Sequence, residues 1–308
     1  MVLISDFSEE VLGQPESLEK FTGSRFYNVP RGSIFVGTGD SYAAALAGFY
    51  TSKGQCLALD PYYLSIFPET ALGKDVVFIS ASGRTHSNLV AARKVRKVAK
   101  TIVALTADEE SRLASAADTV VRLPMVLKPR LPGALSFSLS LLAVLKMLGV
   151  NDACDFQRAQ KQARRSANEV AFSKGKGITY FLGNGAAHSI ALYSAAKVYE
   201  LLGKRAFSET LEEFSHLELF SLRMSDTVNI YSCFDALGKG EKLQKALTAR
   251  GYTSSLIETM GDNDTERLFH AVFVAQFSVL RKAKAAGLSR PNFLLDKARL
   301  KISDTMIY

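Results

Sequence analysis

With 308 residues, the chain is long enough for one large domain or two of about 150 residues, and two are expected. Hydrophobic residues at 47% and charged residues at 22% exclude a disordered or fibrous chain, and the longest apolar run, Leu139 to Leu148, is broken by Ser140 and Lys146, well short of the roughly 20 residues a membrane span needs. The formal charge of +8 is spread along helical patterns such as Arg93, Lys94, Arg96, Lys97 and Lys100, with no Trp and no aromatic-interleaved basic stripe, so it reads as solvated faces that steer an anion rather than as a nucleic-acid surface.

The opening Met1-Val2-Leu3-Ile4-Ser5-Asp6 has neither a basic n-region nor an apolar h-region, and Cys56, Cys154 and Cys233 are odd in number and lack metal spacing. A reduced, cytoplasmic protein with no metal centre is the expectation. Residues 1 to about 30 predict a short helical entry packed through Phe7, Val11 and Leu12. Ser33 to Gly39 reads as a buried strand ending in glycine, and Asp40 to Lys53 as an alanine-rich helix. This join is half of a dinucleotide fingerprint, but Ala43 and Ala44 follow in place of a third glycine. A nicotinamide oxidoreductase therefore rests on an incomplete motif, and no cofactor is expected. The simpler reading is a loop in which Gly39 and Ser41 face an anion.

Strands follow at Gln55 to Leu59, Asp75 to Ile79, Lys100 to Thr106 and Thr119 to Leu123, with helical patterns between them. Alternating β and α units with continuous apolar strands predict an α/β fold: a doubly wound parallel sheet flanked by helices, its ligand at the carboxyl ends of the strands. After Ile79 the chain runs Ser80-Ala81-Ser82-Gly83-Arg84-Thr85-His86-Ser87 into a helix patterned on Leu89, Ala92, Val95 and Val98. Free N–H groups at a helix start, the macrodipole and the hydroxyls of Ser80, Ser82, Thr85 and Ser87 suit a phosphate monoester. An ordinary N-cap explains one or two of these hydroxyls, not four around Gly83.

Lys128-Pro129-Arg130-Leu131-Pro132-Gly133 then breaks the pattern, and its prolines present Arg130 on a stiff loop, either over the cleft or against a surface carboxylate. An apolar helix, Ala134 to Leu148, and a long polar helix, Asp152 to Ser173, lead to the second half. There Gly177 to Gly185 is another strand ending in Gly-x-Gly, Ala186 to Leu202 another helix, and strands at Val228 to Cys233 and Thr253 to Glu258 alternate with helices at Lys242 to Arg250 and Glu266 to Ala286. A repeat spaced by roughly 145 residues predicts two similar subdomains, 1–150 and 151–290, followed by a tail, 291–308. Nothing after Ile230-Tyr231-Ser232-Cys233-Phe234-Asp235 repeats the hydroxyl-rich turn, so only the first half should hold phosphate.

Of the four histidines, His86, His188, His216 and His270, the third lies among Glu212, Glu213 and Glu218, an environment for a proton shuttle or simply a solvated helix face. Lys197 and Glu200 stand i and i+3 on the helix after the second Gly-x-Gly, either as a surface pair or, given Ala195, Ala196, Val198 and Leu201 beside them, as a partly buried one.

The Ser-Ala-Ser-Gly-Arg-Thr turn, the Gly37-Thr38-Gly39-Asp40-Ser41-Tyr42 join and the doubled architecture together resemble the SIS (sugar isomerase) family, in particular the isomerase half of glucosamine-6-phosphate synthase and SIS-type glucosamine-6-phosphate deaminases, over most of residues 30 to 290. In that family a lysine and a glutamate three apart are followed by a histidine sixteen residues on, the spacing of Lys197, Glu200 and His216 here. The resemblance implies two SIS-type subdomains, with Gly39, Ser41, Ser80, Ser82, Gly83 and Thr85 on the sugar phosphate and Lys197 beside it. It also implies Glu200 moving a proton between C1 and C2 through a cis-enediol or its amino analogue, without a metal, and His216 opening the sugar ring from the neighbouring subunit of a homodimer. Lys128-Pro129-Arg130 resembles the archaeal phosphoglucose/phosphomannose isomerases, where such an arginine steadies the enediolate. The tail, Ser289-Arg290-Pro291-Asn292-Phe293 and onward, departs from the family motif but offers Lys297 or Lys301 to close over the sugar, and Arg84 replaces the family's acidic residue.

Met1-Val2 lacks the N-terminal cysteine that glutaminase chemistry requires, so no glutaminase activity is expected. The expectation is an aldose–ketose isomerase or amino-sugar-phosphate deaminase on a hexose 6-phosphate (fructose, glucosamine or glucose 6-phosphate), an enzyme of carbohydrate and amino-sugar metabolism with no nucleic-acid or membrane partner. The alternative is a non-catalytic SIS protein that senses a sugar phosphate.

Overall fold

A computed structural model describes residues 2–307, so Met1 and Tyr308 lie outside the described residues. The first half folds as α1 (Ile4–Thr22), β1 (Ile34–Val36), α2 (Asp40–Thr51), β2 (Leu57–Leu59), α3 (Pro61–Ile66), β3 (Asp75–Ile79), α4 (His86–Val95), β4 (Thr101–Thr106), α5 (Arg112–Ser115), β5 (Thr119–Arg122) and α6 (Leu135–Met147). The second comprises α7 (Phe156–Ser166), β6 (Thr179–Leu182), α8 (Ala186–Lys197), β7 (Ala206–Glu209), α9 (Leu211–His216), β8 (Thr227–Tyr231), α10 (Lys239–Thr248), β9 (Thr253–Ile257) and α11 (Asp264–Ala285), before a tail helix, α12 (Lys297–Ile307). Two compact units result, each discontinuous: 17–151 with the chain from 296 onward, and the start of the chain through 16 with 152–295. The division therefore cuts α1 and separates α12 from the turn Asn292–Leu294 just before it.

In the first unit five parallel strands are ordered β2-β1-β3-β4-β5. The order grows outward in both directions from β1, so the β1/β3 seam is a topological switch point where two loops open at one sheet edge. The register fixes that edge, with Val36 beside Phe78 and Phe78 beside Ala104. Every residue of β3 is buried, the one polar member, Asp75, accepting a 2.7 Å hydrogen bond from the Tyr27 hydroxyl. Small residues let α2 lie close on the sheet: a Cβ on Gly48 would stand 2.8 Å from Val144 Cγ1 of α6 and 2.9 Å from the Phe35 ring of β1. α6 is buried on nearly all sides, as its continuous apolar sequence requires.

The other unit holds four parallel strands ordered β7-β6-β8-β9, a shorter version of the same winding. β7 is an edge strand with no apolar run to announce it: Ala206 is buried, but Phe207 is exposed and Ser208 and Glu209 are polar. The polar helix predicted over Asp152 to Ser173 is only Phe156–Ser166, capped at its start by Asp155 on the Arg158 N–H. Beyond it the backbone is drawn to β8 instead, where the Asn229 side chain takes both the Ala171 N–H (3.0 Å) and its carbonyl (2.9 Å).

Candidate active site

The predicted phosphate turn is a braced loop at the end of β3. The Gly83 N–H closes the turn on the Ser80 carbonyl at 2.9 Å, and Gly83 takes φ +60°, a conformation glycine adopts without strain. Its neighbours leave no room for a side chain, since a Cβ would sit 2.1 Å from Ser111 Oγ. Thr106 donates to the Ala81 carbonyl at 3.1 Å and Asn88 to the Ile79 carbonyl at 3.3 Å, fixing the loop from β4 and α4. Thr85, the N-cap of α4, makes no side-chain cap; its hydroxyl meets that of Ser80 at 3.2 Å. Two hydroxyls and an uncapped helix start are thus gathered at one point, with Ser82 partly exposed beside them. Arg84, the residue out of pattern, turns away to a 3.0 Å ion pair with Asp108.

The neighbouring loop after β1 is equally constrained. A Cβ on Gly37 would lie 2.6 Å from the Ser41 backbone, so β1 can pass into α2 this tightly only with glycine. Gly39, at φ 55° and ψ −126°, begins α2 without a side-chain cap, and among the described residues nothing stands within 4 Å of where its Cβ would be. Gly39, Ser41, Ser80, Ser82, Gly83 and Thr85 therefore fall on adjacent loops at the switch-point edge.

Arg130 takes φ 63° and pairs with Asp304 of α12 at 2.9 Å, both side chains being substantially exposed. The tail helix is thereby tied to the proline-bounded loop within the first unit, while Lys301 on the same helix is exposed. The surface-carboxylate reading of Arg130 describes this state.

In the second unit α8 does not run on regularly to Leu202. Its ladder widens into a π-helical turn, Val198–Leu202, that ends on Gly203 in the left-handed conformation. π-turns recur at functional sites because the inserted residue re-aims the side chains around it. Lys197, the last residue of the regular helix, is fully buried, and its ammonium pairs with the Glu200 carboxylate, which is about one-third exposed. The same ammonium stands 5.1 Å from the centre of the Tyr193 ring. A carboxylate that still reaches solvent beside a buried cation can serve as a base or as a structural ion pair. His216, at the end of α9, is 72% exposed and lies 3.3 Å from Glu212, whose carboxyl is held below its usual range by Lys239 and, more weakly, by His216 itself.

Three residues beneath this pair carried no sequence signal of function: Gln14, Tyr193 and Gln276, all fully buried and hydrogen-bonded in series. The one available hint was a glutamine inside the otherwise apolar run of α11. Among the described residues no cluster of three or more His, Cys, Asp or Glu is placed to hold a metal, and no helix is long and apolar enough to cross a membrane.

No family model matches the sequence. An uncharacterized protein of Aeropyrum pernix is 31% identical over 128 residues, 40% of this chain and 58% of that protein, so the chain spans little more than half the length of the relative it matches. Solved structures match far more of the chain. The glucosamine-6-phosphate deaminase of Thermotoga maritima superimposes with a TM-score of 0.76 at 21% identity, covering 93% of this chain and 97% of that one. The C-terminal domain of glucosamine-fructose-6-phosphate aminotransferase from Francisella tularensis gives 0.72 at 16% identity, with 92% and 96% covered. The tagatose-6-phosphate ketose/aldose isomerase of Escherichia coli gives 0.70 at 18%, with 92% and 94% covered. The chain has the SIS fold of these proteins, two parallel α/β sheets flanked by helices, as the turn and the repeat implied.

Proposed function

We propose that the protein is a sugar-phosphate enzyme of the SIS type, an aldose–ketose isomerase or amino-sugar-phosphate deaminase acting on a hexose 6-phosphate. The observation that carries this reading is the Lys197–Glu200 pair on its π-turn, because binding a phosphate requires neither a buried ammonium nor a carboxylate held beside it. In this reading the phosphate dianion is bound by the hydroxyls of Ser41, Ser80, Ser82 and Thr85, with free N–H groups at the starts of α2 and α4 and backbone room at Gly39 and Gly83. The Glu200 carboxylate takes the proton from C2 of the open-chain aldose and returns it to C1 through a cis-enediol, while Lys197 holds that carboxylate ionised and oriented. With an amino group at C2 the same proton transfer gives an imine, which water converts to the ketose with release of ammonia. His216 assists ring opening from the neighbouring subunit of a homodimer, Arg130 steadies the enediolate once it leaves Asp304, and Lys301 approaches from the tail.

Coupled assays with fructose 6-phosphate, glucose 6-phosphate and glucosamine 6-phosphate test this, and no turnover of any of them rejects it. Glu200→Gln separates an enzyme from a sensor: turnover falls about a hundred- to ten-thousand-fold while the sugar phosphate still binds.

A further inference from the structure

Beneath the Lys197–Glu200 pair runs a line of polar groups that proton transfer itself does not use. Gln14 of α1, Tyr193 of α8 and Gln276 of α11 are each fully buried. The Gln14 amide donates to Gln276 Oε1 at 2.8 Å, and the Gln276 amide donates to the Tyr193 hydroxyl at 3.1 Å. The Tyr193 ring faces the Lys197 ammonium, which in turn bonds Glu200. Only Glu200, at the far end of this series, reaches solvent.

Placing a lysine where no water reaches it is unfavourable unless the charge is compensated. Glu200 supplies a counterpart and the negative face of the Tyr193 ring supplies another, a contact that strengthens when desolvated. The ring does this only if it stays in place, and the hydroxyl bonded to Gln276 pins it. Two glutamines here are a poor choice for packing alone: between His270 and Leu280 α11 is otherwise almost wholly apolar, and an unpaired buried amide is costly. As a pair they satisfy each other and leave one N–H for Tyr193. If the series served only to pack α1 on α11, apolar side chains would do it at less cost in desolvation.

We propose that Tyr193 and Gln276, with Gln14 behind them, are positioning residues that set the Lys197 ammonium and thereby the orientation and ionisation of Glu200. The proposal rests on the reading of Glu200 as the base. In the full-length chain, Tyr193→Leu lowers kcat about 10- to 100-fold, the scale of a small misplacement of a catalytic group. KM stays within about two-fold, because the phosphate is gripped elsewhere. The acid limb of the kcat/KM profile moves to higher pH, since a carboxylate that loses its cation protonates more readily. Tyr193→Phe keeps the ring face but releases it from Gln276, and recovers part of that loss. A folded Tyr193→Leu protein with wild-type kcat and pH profile overturns the proposal, as does a Phe variant as impaired as the Leu one.

A second measurement needs no turnover and covers a Leu variant that fails to fold. With lysine labelled with carbon-13 at Cε, the Lys197 resonance, assigned by its loss in Lys197→Arg, shifts in Gln276→Met and in Gln14→Met. An unmoved resonance in both sinks the positioning role whatever the reaction is. An inactive wild-type protein rejects the base reading instead, and the resonance still decides whether the series sets Lys197.

Discussion

Gly39 and Gly185 hold nearly the same left-handed backbone, φ 55° and ψ −126° against φ 53° and ψ −138°, each at the start of the helix that follows the first strand of its sheet. What faces them differs. The space a Cβ would occupy on Gly39 is open, whereas on Gly185 Phe234 Cβ lies 3.2 Å from it. Phe234 itself takes φ 61°, unusual for an aromatic residue, so the ring is held there against its own preference. The duplicated turn thus survives as a backbone shape in the second unit, with carbon where the first unit leaves open space.

One phosphate per chain is therefore the expected stoichiometry. Calorimetric titration with inorganic phosphate or fructose 6-phosphate should give a single site, weakened about 10- to 100-fold by Thr85→Ala, the loss of one hydrogen bond to a charged group. A second equivalent that persists in Thr85→Ala would place an anion at Gly185 and contradict this reading.

Gly83 should tolerate no side chain. Alanine there must adopt φ +60° and displace Ser111, whose hydroxyl caps α5 by accepting the Ala114 N–H at 3.3 Å. Left-handed strain of about 1–2 kcal/mol adds to an overpacking penalty of about 1–3 kcal/mol. Urea unfolding of Gly83→Ala should show that combined loss, and Gly83→Ala with Ser111→Gly should recover only the overpacking part. A Gly83→Ala protein as stable as wild type would mean that the loop is not braced as described.

Much of this first site was legible from the sequence, because strand, small-residue turn and amphipathic helix are local signals: β3 ends at Ile79 where the apolar run ends, and Gly83 marks the residue of the turn after it that needs left-handed backbone. Less of the second was. The π-turn at Val198–Leu202 lies in a stretch that reads as continuous helix, since a single inserted residue does not disturb the hydrophobic pattern. Lys197 is fully buried beside the Tyr193 ring, whose hydroxyl is bonded by Gln276 from a distant helix, a tertiary arrangement that spacing cannot reveal. β7 was hidden for another reason, for an edge strand with one inward side chain has no alternation to detect.

Arg130 and Asp304 make an ion pair that stability does not need. Both partners are substantially exposed, so the pair is worth about 0–1 kcal/mol and weakens with salt. The left-handed backbone at Arg130 costs more than that, so Arg130→Gly should unfold at the same temperature as wild type or higher. The same variant should lose most turnover, if Arg130 acts on the enediolate as proposed. Asp304→Asn should do the reverse, leaving the unfolding temperature unchanged and raising kcat/KM severalfold at low ionic strength, with the gain erased in high salt. A fall in kcat/KM for Asp304→Asn would mean instead that the tail must stay latched for turnover.

His270 makes the fold sensitive to acid. It is fully buried in α11, neither ring nitrogen has a hydrogen-bond partner among the described residues, and burial pushes its pKa down to about 4 against the opposing effect of Glu266. The folded protein therefore resists the proton that the unfolded chain accepts below its ordinary value of 6.5. Stability from this residue is complete above pH 6.5, falls progressively as the pH drops toward 4, and changes no further below that. The window corresponds to at most about 3–4 kcal/mol, from the difference between the two values at 1.36 kcal/mol per unit. Urea denaturation at pH 7 and at pH 4.5, compared between wild type and His270→Phe, isolates the contribution: the aromatic replacement fills similar space without a titrating group, so it should lose markedly less stability on acidification. Equal losses in the two proteins would assign the acid sensitivity to other groups, such as the carboxylates paired with Arg158.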